Sequence, residues 1–160
     1  MKVILEGVDG AGKTTLARIL ADKYGLDICH CTQLDAADYD FYRQTLRKEN
    51  AVWYRHTLGE LIYPQIFSRV QQIGVEDARL VMHYAKQEDV KVLVLTADMP
   101  VLYERLNDRM IPEHPLIMEN LDYIDRKFKF YAEQYHLPVI DTSQMTLQQI
   151  FDLVENKQIA

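Results

Sequence analysis

Three features of the sequence predict a three-layer α/β/α sandwich built on a five-stranded parallel sheet. Short β-like runs alternate with longer helical ones along the chain, the pattern of strands joined by helical crossovers. One of these runs, Val92-Leu93-Val94-Leu95, is apolar at every position, as a strand covered on both faces has to be. Finally, Gly7 to Thr14 reads G-V-D-G-A-G-K-T between an apolar run and a helical pattern, the strand–loop–helix context of a phosphate-binding loop.

The first strand is expected over Lys2–Glu6, on the run Val3-Ile4-Leu5, and the first helix over Lys13–Tyr24, where Leu16, Ala17, Ile19 and Leu20 fall at helical spacing. A second strand over Leu26–Cys31 carries I-C-H-C-T. Neighbouring side chains on a strand point to opposite faces, so His30 does not join Cys29 and Cys31 around a metal. No second ligand pair stands at a useful spacing, and the two cysteines are expected to pack as small residues on one face. A helix over Ala37–Glu49 leads to a strand over Ala51–Arg55. Helices over Leu58–Gln72 and Val75–Gln87 precede a fourth strand, Lys91–Thr96. The helix after it, Pro100–Arg109, breaks at Pro112 and Pro115 and leaves a short lid near 109–118. A helix over Met118–Tyr135, a strand over Pro138–Asp141 and a helix over Thr146–Glu155 complete the pattern. No repeat, linker or low-complexity stretch divides residues 1–160, so a single domain is expected.

The composition, 48% hydrophobic and 26% charged, is that of a soluble globular protein. No stretch approaches the roughly 20 apolar residues of a membrane span. The first strand begins within two residues of the N-terminus, which leaves no room for a signal peptide. A cytoplasmic protein with reduced cysteines is expected. A net charge of −6 argues against a surface that coats nucleic acid.

Gly7, Gly10 and Gly12 let the loop turn tightly, with Ala11 between them, and aim successive N–H groups at one point. A helix beginning near Lys13 adds its positive dipole end. Lys13 is placed to reach the β- and γ-phosphates, and Thr14, followed by Thr15, to set a hydroxyl on magnesium. Together these residues imply a site for a nucleoside triphosphate with Mg2+. Asp9 lies inside this loop, where an acid faces away from the polyanion toward a second substrate or a basic partner, or simply shapes the turn.

Arg55 stands where the third strand stops, at the ligand-bearing end of the sheet, and an arginine there can grip a phosphate with both arms. Glu60 and Tyr63 follow at three-residue spacing and share a helix face; a surface ion pair and a core tyrosine are the alternative. Arg105 and Arg109 lie one turn apart before the proline-marked loop. They are candidates to close over phosphates and neutralise a moving phosphoryl charge. The alternative is a solvated face on which Glu104 and Asp108 partner them.

Taken together, these residues resemble the thymidylate kinase and deoxynucleoside monophosphate kinase family of P-loop enzymes. E-G-V-D-G-A-G-K-T-T, Glu6 to Thr15, is close to that family's E-G-x-D-G-x-G-K-T-T loop. Tyr54-Arg55-His56 with Gly59 and Tyr63 aligns with its D-R-Y/H motif; E-R-L-x-x-R at Glu104–Arg109 looks like the start of its lid; and V-I-D-T-S also fits. The resemblance implies a P-loop NTPase-type fold and a homodimer formed by pairing helices. It also implies transfer of the γ-phosphoryl group of ATP, with Mg2+, to a (deoxy)nucleoside monophosphate. Lys13 and Thr14 would then hold ATP and the metal. Arg55 would hold the acceptor's phosphate, and Asp9 would contact the acceptor's sugar side or Arg55. Arg105 and Arg109 would stabilise the moving charge. Phe41, Tyr42, Phe67 and Arg69 are candidates for a base pocket, where an aromatic face stacks a base, and equally for helix core.

The chain departs from the family at Tyr54, where the family has an aspartate. A relocated carboxylate (Glu60, Asp9 or Asp98), a changed acceptor such as a deoxynucleoside or modified nucleotide, or a non-catalytic nucleotide-binding protein would each accommodate it. A phosphate acceptor needs little help from a base, because its oxygens are already ionised. A guanine-specific N-K-x-D motif is absent, the nearest string being Asn156-Lys157-Gln158-Ile159.

Overall fold

A computed structural model describes residues 1–31, 38–109 and 114–155. In chain order the elements are β1 (Lys2–Gly7), α1 (Lys13–Tyr24), β2 (Asp27–His30), α2 (Tyr39–Thr45), β3 (Ala51–Tyr54), α3 (Thr57–Ile66) and α4 (Val75–Gln87). There follow β4 (Val90–Thr96), α5 (Met99–Asn107), α6 (His114–Glu119), α7 (Leu121–Gln134), β5 (Val139–Asp141) and α8 (Leu147–Glu155). The five strands form one sheet in the order β2-β3-β1-β4-β5, and every pairing is parallel. The expected sandwich is therefore the observed one. Among the described residues no helix is long and apolar enough to cross a membrane.

β1 is the central strand, flanked by β3 and β4. Val3, Ile4 and Leu5 are fully covered because helices lie on both faces. α1 packs across β1, β2 and β3, and α8 meets α1 through Tyr24 and Phe151. The opposite face carries α3, α4 and α7. β1 ends at Gly7, which pairs with Leu95 on β4. There φ is +135°, and a Cβ would stand 2.1 Å from the Leu95 carbonyl oxygen, so no side chain fits. α1 stops at Gly25, left-handed at φ 67°, whose N–H returns to the Ala21 carbonyl at 2.9 Å.

Three helices differ from the sequence expectation. α2 is capped by Asp38, whose carboxylate accepts the Phe41 N–H at 2.9 Å, and it closes at Leu46. Ala37, the expected start, lies outside the described residues. α3 stops at Ile66 rather than running to Gln72, because Ser68 is left-handed at φ 51° and the Arg69 N–H returns to the Pro64 carbonyl at 3.0 Å. The long helix expected over Met118–Tyr135 is two helices that meet at Asn120, whose side-chain amide donates back to the Leu116 carbonyl at 2.8 Å. Of the expected lid, residues 110–113 lie outside the described residues, and α6 begins at His114.

Candidate functional site

The loop between β1 and α1 wraps around the Lys13 side chain. Its Nζ donates to the Gly7 carbonyl at 2.6 Å and the Val8 carbonyl at 2.9 Å. Burial lowers the ammonium's pKa from 10.5 to about 8, and the Asp9 charge offsets part of that shift. Thr14 is half-buried and Thr15 exposed on the first turn of α1. Gly10 and Gly12 take φ of 84° and 96°, which side chains resist.

From behind, the loop is braced by α5 and by the corner after β5. Arg105 Nη1 donates to the Gly10 carbonyl at 2.9 Å and to Thr142 Oγ1 at 3.0 Å. The Thr142 hydroxyl in turn reaches the Ala11 carbonyl at 2.8 Å. Arg105 thus binds the loop and does not lie on a solvated face paired within its own helix. Arg109, one turn on, is exposed, and its charge is felt at Lys13.

Asp9 turns away from the inside of the loop. Its carboxylate accepts from Arg55 Nη2 at 3.3 Å and from the Tyr63 hydroxyl at 2.5 Å. Asp9 is 4% exposed and the Arg55 side chain 55%, so the carboxylate is the fixed member and the guanidinium extends from it into solvent. Arg55 is left-handed at φ 62°, an uncommon state for a residue with a side chain, and one that concentrates at functional sites. That twist turns the chain from β3 into α3 and carries the arginine toward Asp9. Burial and the Asp9 charge raise the Tyr63 phenol well above its ordinary pKa, so it remains a donor. The Tyr63 ring stacks on Phe67, centroids 6.0 Å apart at 13°, and tilts against Phe128 of α7.

Glu6 is buried beneath this cluster. Its Oε1 accepts the Leu58 N–H at 2.6 Å, and the His56 and Gly59 amides also turn toward it. A carboxylate at the start of α3 meets the helix's open donors. Burial nevertheless outweighs those amides and the Lys13 charge, and lifts its pKa from 4.5 to about 7. His56 is buried and neutral, its pKa lowered to about 3 by burial. Thr45 gives its hydroxyl hydrogen to the Tyr42 carbonyl at 2.6 Å, so its oxygen accepts from His56 Nε2, also at 2.6 Å. Nδ1 then accepts from Thr57 at 2.7 Å.

Arg55, Tyr63 and Phe67 are brought together around Asp9, within reach of the loop. Glu60 and Arg69 are brought to each other: the guanidinium meets both carboxylate oxygens at 3.0 and 2.9 Å, and the Gln72 N–H adds a third bond at 2.8 Å. Phe41 packs edge-on against Tyr42 in α2, and Tyr42 against His56. Tyr54 stacks on His30, centroids 5.1 Å apart at 15°. Its register partner Leu5 has the opposite parity to Glu6, so Tyr54 looks toward the α1 face and away from Glu6. Asp98 accepts from Gln144 at 3.1 Å.

Sequence reasoning missed Glu6, Thr142 and Phe128. Glu6 and Thr142 stand inside the E-G-V-D-G-A-G-K-T-T and V-I-D-T-S motifs, but their roles depend on burial and on partners 52 and 131 residues away.

Among the described residues no three His, Cys, Asp or Glu side chains form a metal cage. Mg2+ needs none when it keeps its waters and is held through substrate phosphates with one or two protein oxygens. The Thr14 hydroxyl at the start of α1 is such an oxygen, so the residues fit that ion.

No family model matches the chain. It is 23% identical to a probable thymidylate kinase of Methanocaldococcus jannaschii, over an alignment spanning 94% of this chain and 91% of that one. Among solved structures it is similar to the YorR protein of Bacillus subtilis in complex with phosphorylated GDP. The TM-score is 0.76 at 19% identity, over 97% of this chain and 96% of that one. Deoxyadenosine kinase from M. mycoides with bound dCTP aligns with a TM-score of 0.60 at 18% identity, over 98% of each chain. Shikimate kinase from Acinetobacter baumannii in complex with shikimate aligns at 0.59 and 14%, over 99% of this chain and 95% of that one. The chain has the three-layer P-loop fold that these kinases share, and the resemblance to thymidylate kinase seen in its motifs has a counterpart in the curated relative.

Proposed function

We propose that the chain is an ATP-dependent phosphotransferase acting on a (deoxy)nucleoside monophosphate, as thymidylate kinase does. The observation that carries this is the bond from Asp9 to Arg55. The loop that would cradle the donor's phosphates carries the carboxylate that holds the arginine suited to the acceptor's phosphate. Arg55 uses one nitrogen on Asp9, leaving the rest of its planar fork for a phosphate. Two anions are thereby drawn to one cleft, and positioning of this kind is most of what phosphoryl transfer needs from a protein.

In the donor half, the loop amides and the Lys13 ammonium hold the β- and γ-phosphates, and Thr14 offers its hydroxyl to the metal. Bound Mg2+ supplies charge neutralisation on the phosphate oxygens. Arg109 extends that positive field from the end of α5. In the acceptor half, Arg55 holds the phosphate, and the stacked Tyr63 and Phe67 rings offer an apolar face for sugar or base. Tyr54 does not weaken this scheme, because an ionised phosphate oxygen attacks without a base.

A hydroxyl acceptor, as in a nucleoside kinase, is favoured by one observation. Glu6 is a second carboxylate beneath the Asp9–Arg55 pair and within the field of Lys13, and burial raises its pKa to about 7, the range in which a general base for an alcohol works.

The test is ADP formation with ATP and Mg2+ against a panel of nucleosides and their monophosphates. Turnover that requires a monophosphate and disappears in Lys13→Ala supports the main proposal. Turnover with nucleosides that disappears in Glu6→Gln supports the second. Tight ATP binding with every acceptor left intact defeats both. Arg55→Ala is expected to raise the acceptor KM about tenfold or more while the ATP KM stays put; an unmoved acceptor KM removes Arg55 from the site.

A further inference from the structure

We infer that Thr142 is a positioning residue for the donor triphosphate: with Arg105 it clamps two carbonyls of the phosphate loop and so sets where the loop's N–H groups point. The inference rests on the donor half of the proposed function, and on no particular acceptor.

The physical link is the planarity of the peptide bond. In a trans peptide the C=O and the following N–H point in opposite directions from one rigid plane. Fixing a carbonyl therefore fixes the amide behind it. Arg105 holds the Gly10 carbonyl at 2.9 Å and Thr142 holds the Ala11 carbonyl at 2.8 Å. The Gly10 peptide sends the Ala11 N–H the other way, to the Val8 carbonyl at 3.2 Å, which closes the turn. The Ala11 peptide sends the Gly12 N–H away from Thr142, into the concave side where phosphates belong. Gly12 permits this at φ 96°, and a Cβ there would stand 3.8 Å from Thr142 Oγ1, already in van der Waals contact with the clamp.

The hydroxyl has its direction decided for it. Thr142 Oγ1 accepts from Arg105 Nη1 at 3.0 Å, which leaves its single hydrogen for a carbonyl. Ala11 O at 2.8 Å is nearer than Thr96 O at 3.2 Å, and Thr96 O already accepts the Thr142 N–H at 2.9 Å. The corner itself is tied down: the Thr96 hydroxyl donates to the buried Asp125 at 2.6 Å, and Asp125 also meets Lys129 at 2.8 Å. α7, β4, the β5 corner and α5 thus brace the loop from outside, through side chains bonded to its carbonyls and to one another.

The test separates aim from folding with two substitutions in the full chain. Thr142→Val keeps the volume and removes both bonds of the hydroxyl; Thr142→Ser keeps the hydroxyl and removes the methyl. By calorimetry, the valine variant is expected to bind ATP about tenfold more weakly, a loss of about 1.4 kcal/mol. The acceptor KM should be unchanged and the melting temperature within about 3 °C of wild type. The serine variant should return to within about twofold of wild-type ATP affinity. A valine variant that binds ATP like wild type overturns the inference, as does a serine variant as weak as valine. Joint loss of melting temperature, ATP binding and acceptor binding in the valine variant overturns it as well, since that marks a purely structural residue. If wild type binds ATP but phosphorylates nothing, the kinase proposal falls while this ATP-binding comparison still stands.

Discussion

Lys13 is an ammonium held out of water, and its titration reports on the donor site without any turnover. Its pKa of about 8 lies below the ordinary 10.5 because burial disfavours the charged form. By itself, a lowered pKa gives stability that is present above 10.5 and lost as pH falls through 8. Phosphates beside the ammonium reverse that preference, so ATP binding at pH 8.5 should take up a fraction of a proton. Calorimetry in two buffers of different ionisation enthalpy would show it, with the effect vanishing at pH 6.5; identical enthalpies at pH 8.5 would count against the buried lysine. Glu6 has the opposite sign. Its raised pKa contributes stability below 4.5 that is lost as pH rises through 7, on the order of 3 kcal/mol in full. Glu6→Gln should therefore gain stability relative to wild type between pH 5 and 8 in urea unfolding, and a constant difference across that range would refute the assignment. What the sequence revealed at this scale divides the same way. Asp9 and Arg55 could be read because a motif or a strand end locates them. The state of Glu6 could not, because it is made by the start of α3, 52 residues along.

At the scale of elements, α3 and the segment after it form one folded unit held by a buried pair. Glu60 is 6% exposed and accepts both arms of Arg69 together with the Gln72 N–H. Helical spacing in the sequence carries on past Ile66, which is why a helix to Gln72 was expected. The chain instead turns at Ser68 and folds Arg69 back onto its own helix, a reversal that periodicity does not encode. The clasp lies next to Phe67, which stacks on Tyr63, so on the proposed function it bears on the acceptor half only. Glu60→Ala leaves a partly buried guanidinium and an amide without their acceptor, and should destabilise the fold by about 3 kcal/mol. It should also raise the acceptor KM with the ATP KM unchanged. Denaturant melts and a KM-against-kcat split check both; equal effects on the two substrates would mean that the clasp serves the fold alone.

Across the whole molecule, the two halves of the site are built from different parts of the sheet. On the proposed function the donor half depends on α1, α5 and the corner after β5, and the acceptor half on the end of β3, α3 and α7. The parallel direction of the strands was legible because crossover helices leave a simple alternation in the sequence. The division of labour was not, because the ties that make it join residues 46 to 131 positions apart. Asp9 is the one site residue described above that belongs to both halves: its backbone is in the loop and its carboxylate holds Arg55 and Tyr63. This gives a contrast that double-mutant cycles can measure. Thr142→Val and Arg55→Ala share no partner, so their losses in kcat/KM should add to within about 0.5 kcal/mol. Asp9→Asn and Arg55→Ala remove the same contact, so together they should cost less than their sum by about 1 kcal/mol or more. Asp9→Asn alone should raise the KM for both substrates, whereas Arg55→Ala raises only the acceptor's. Additivity in both cycles would mean that Asp9 merely shapes the turn, and that the donor and acceptor halves are not joined through the phosphate loop.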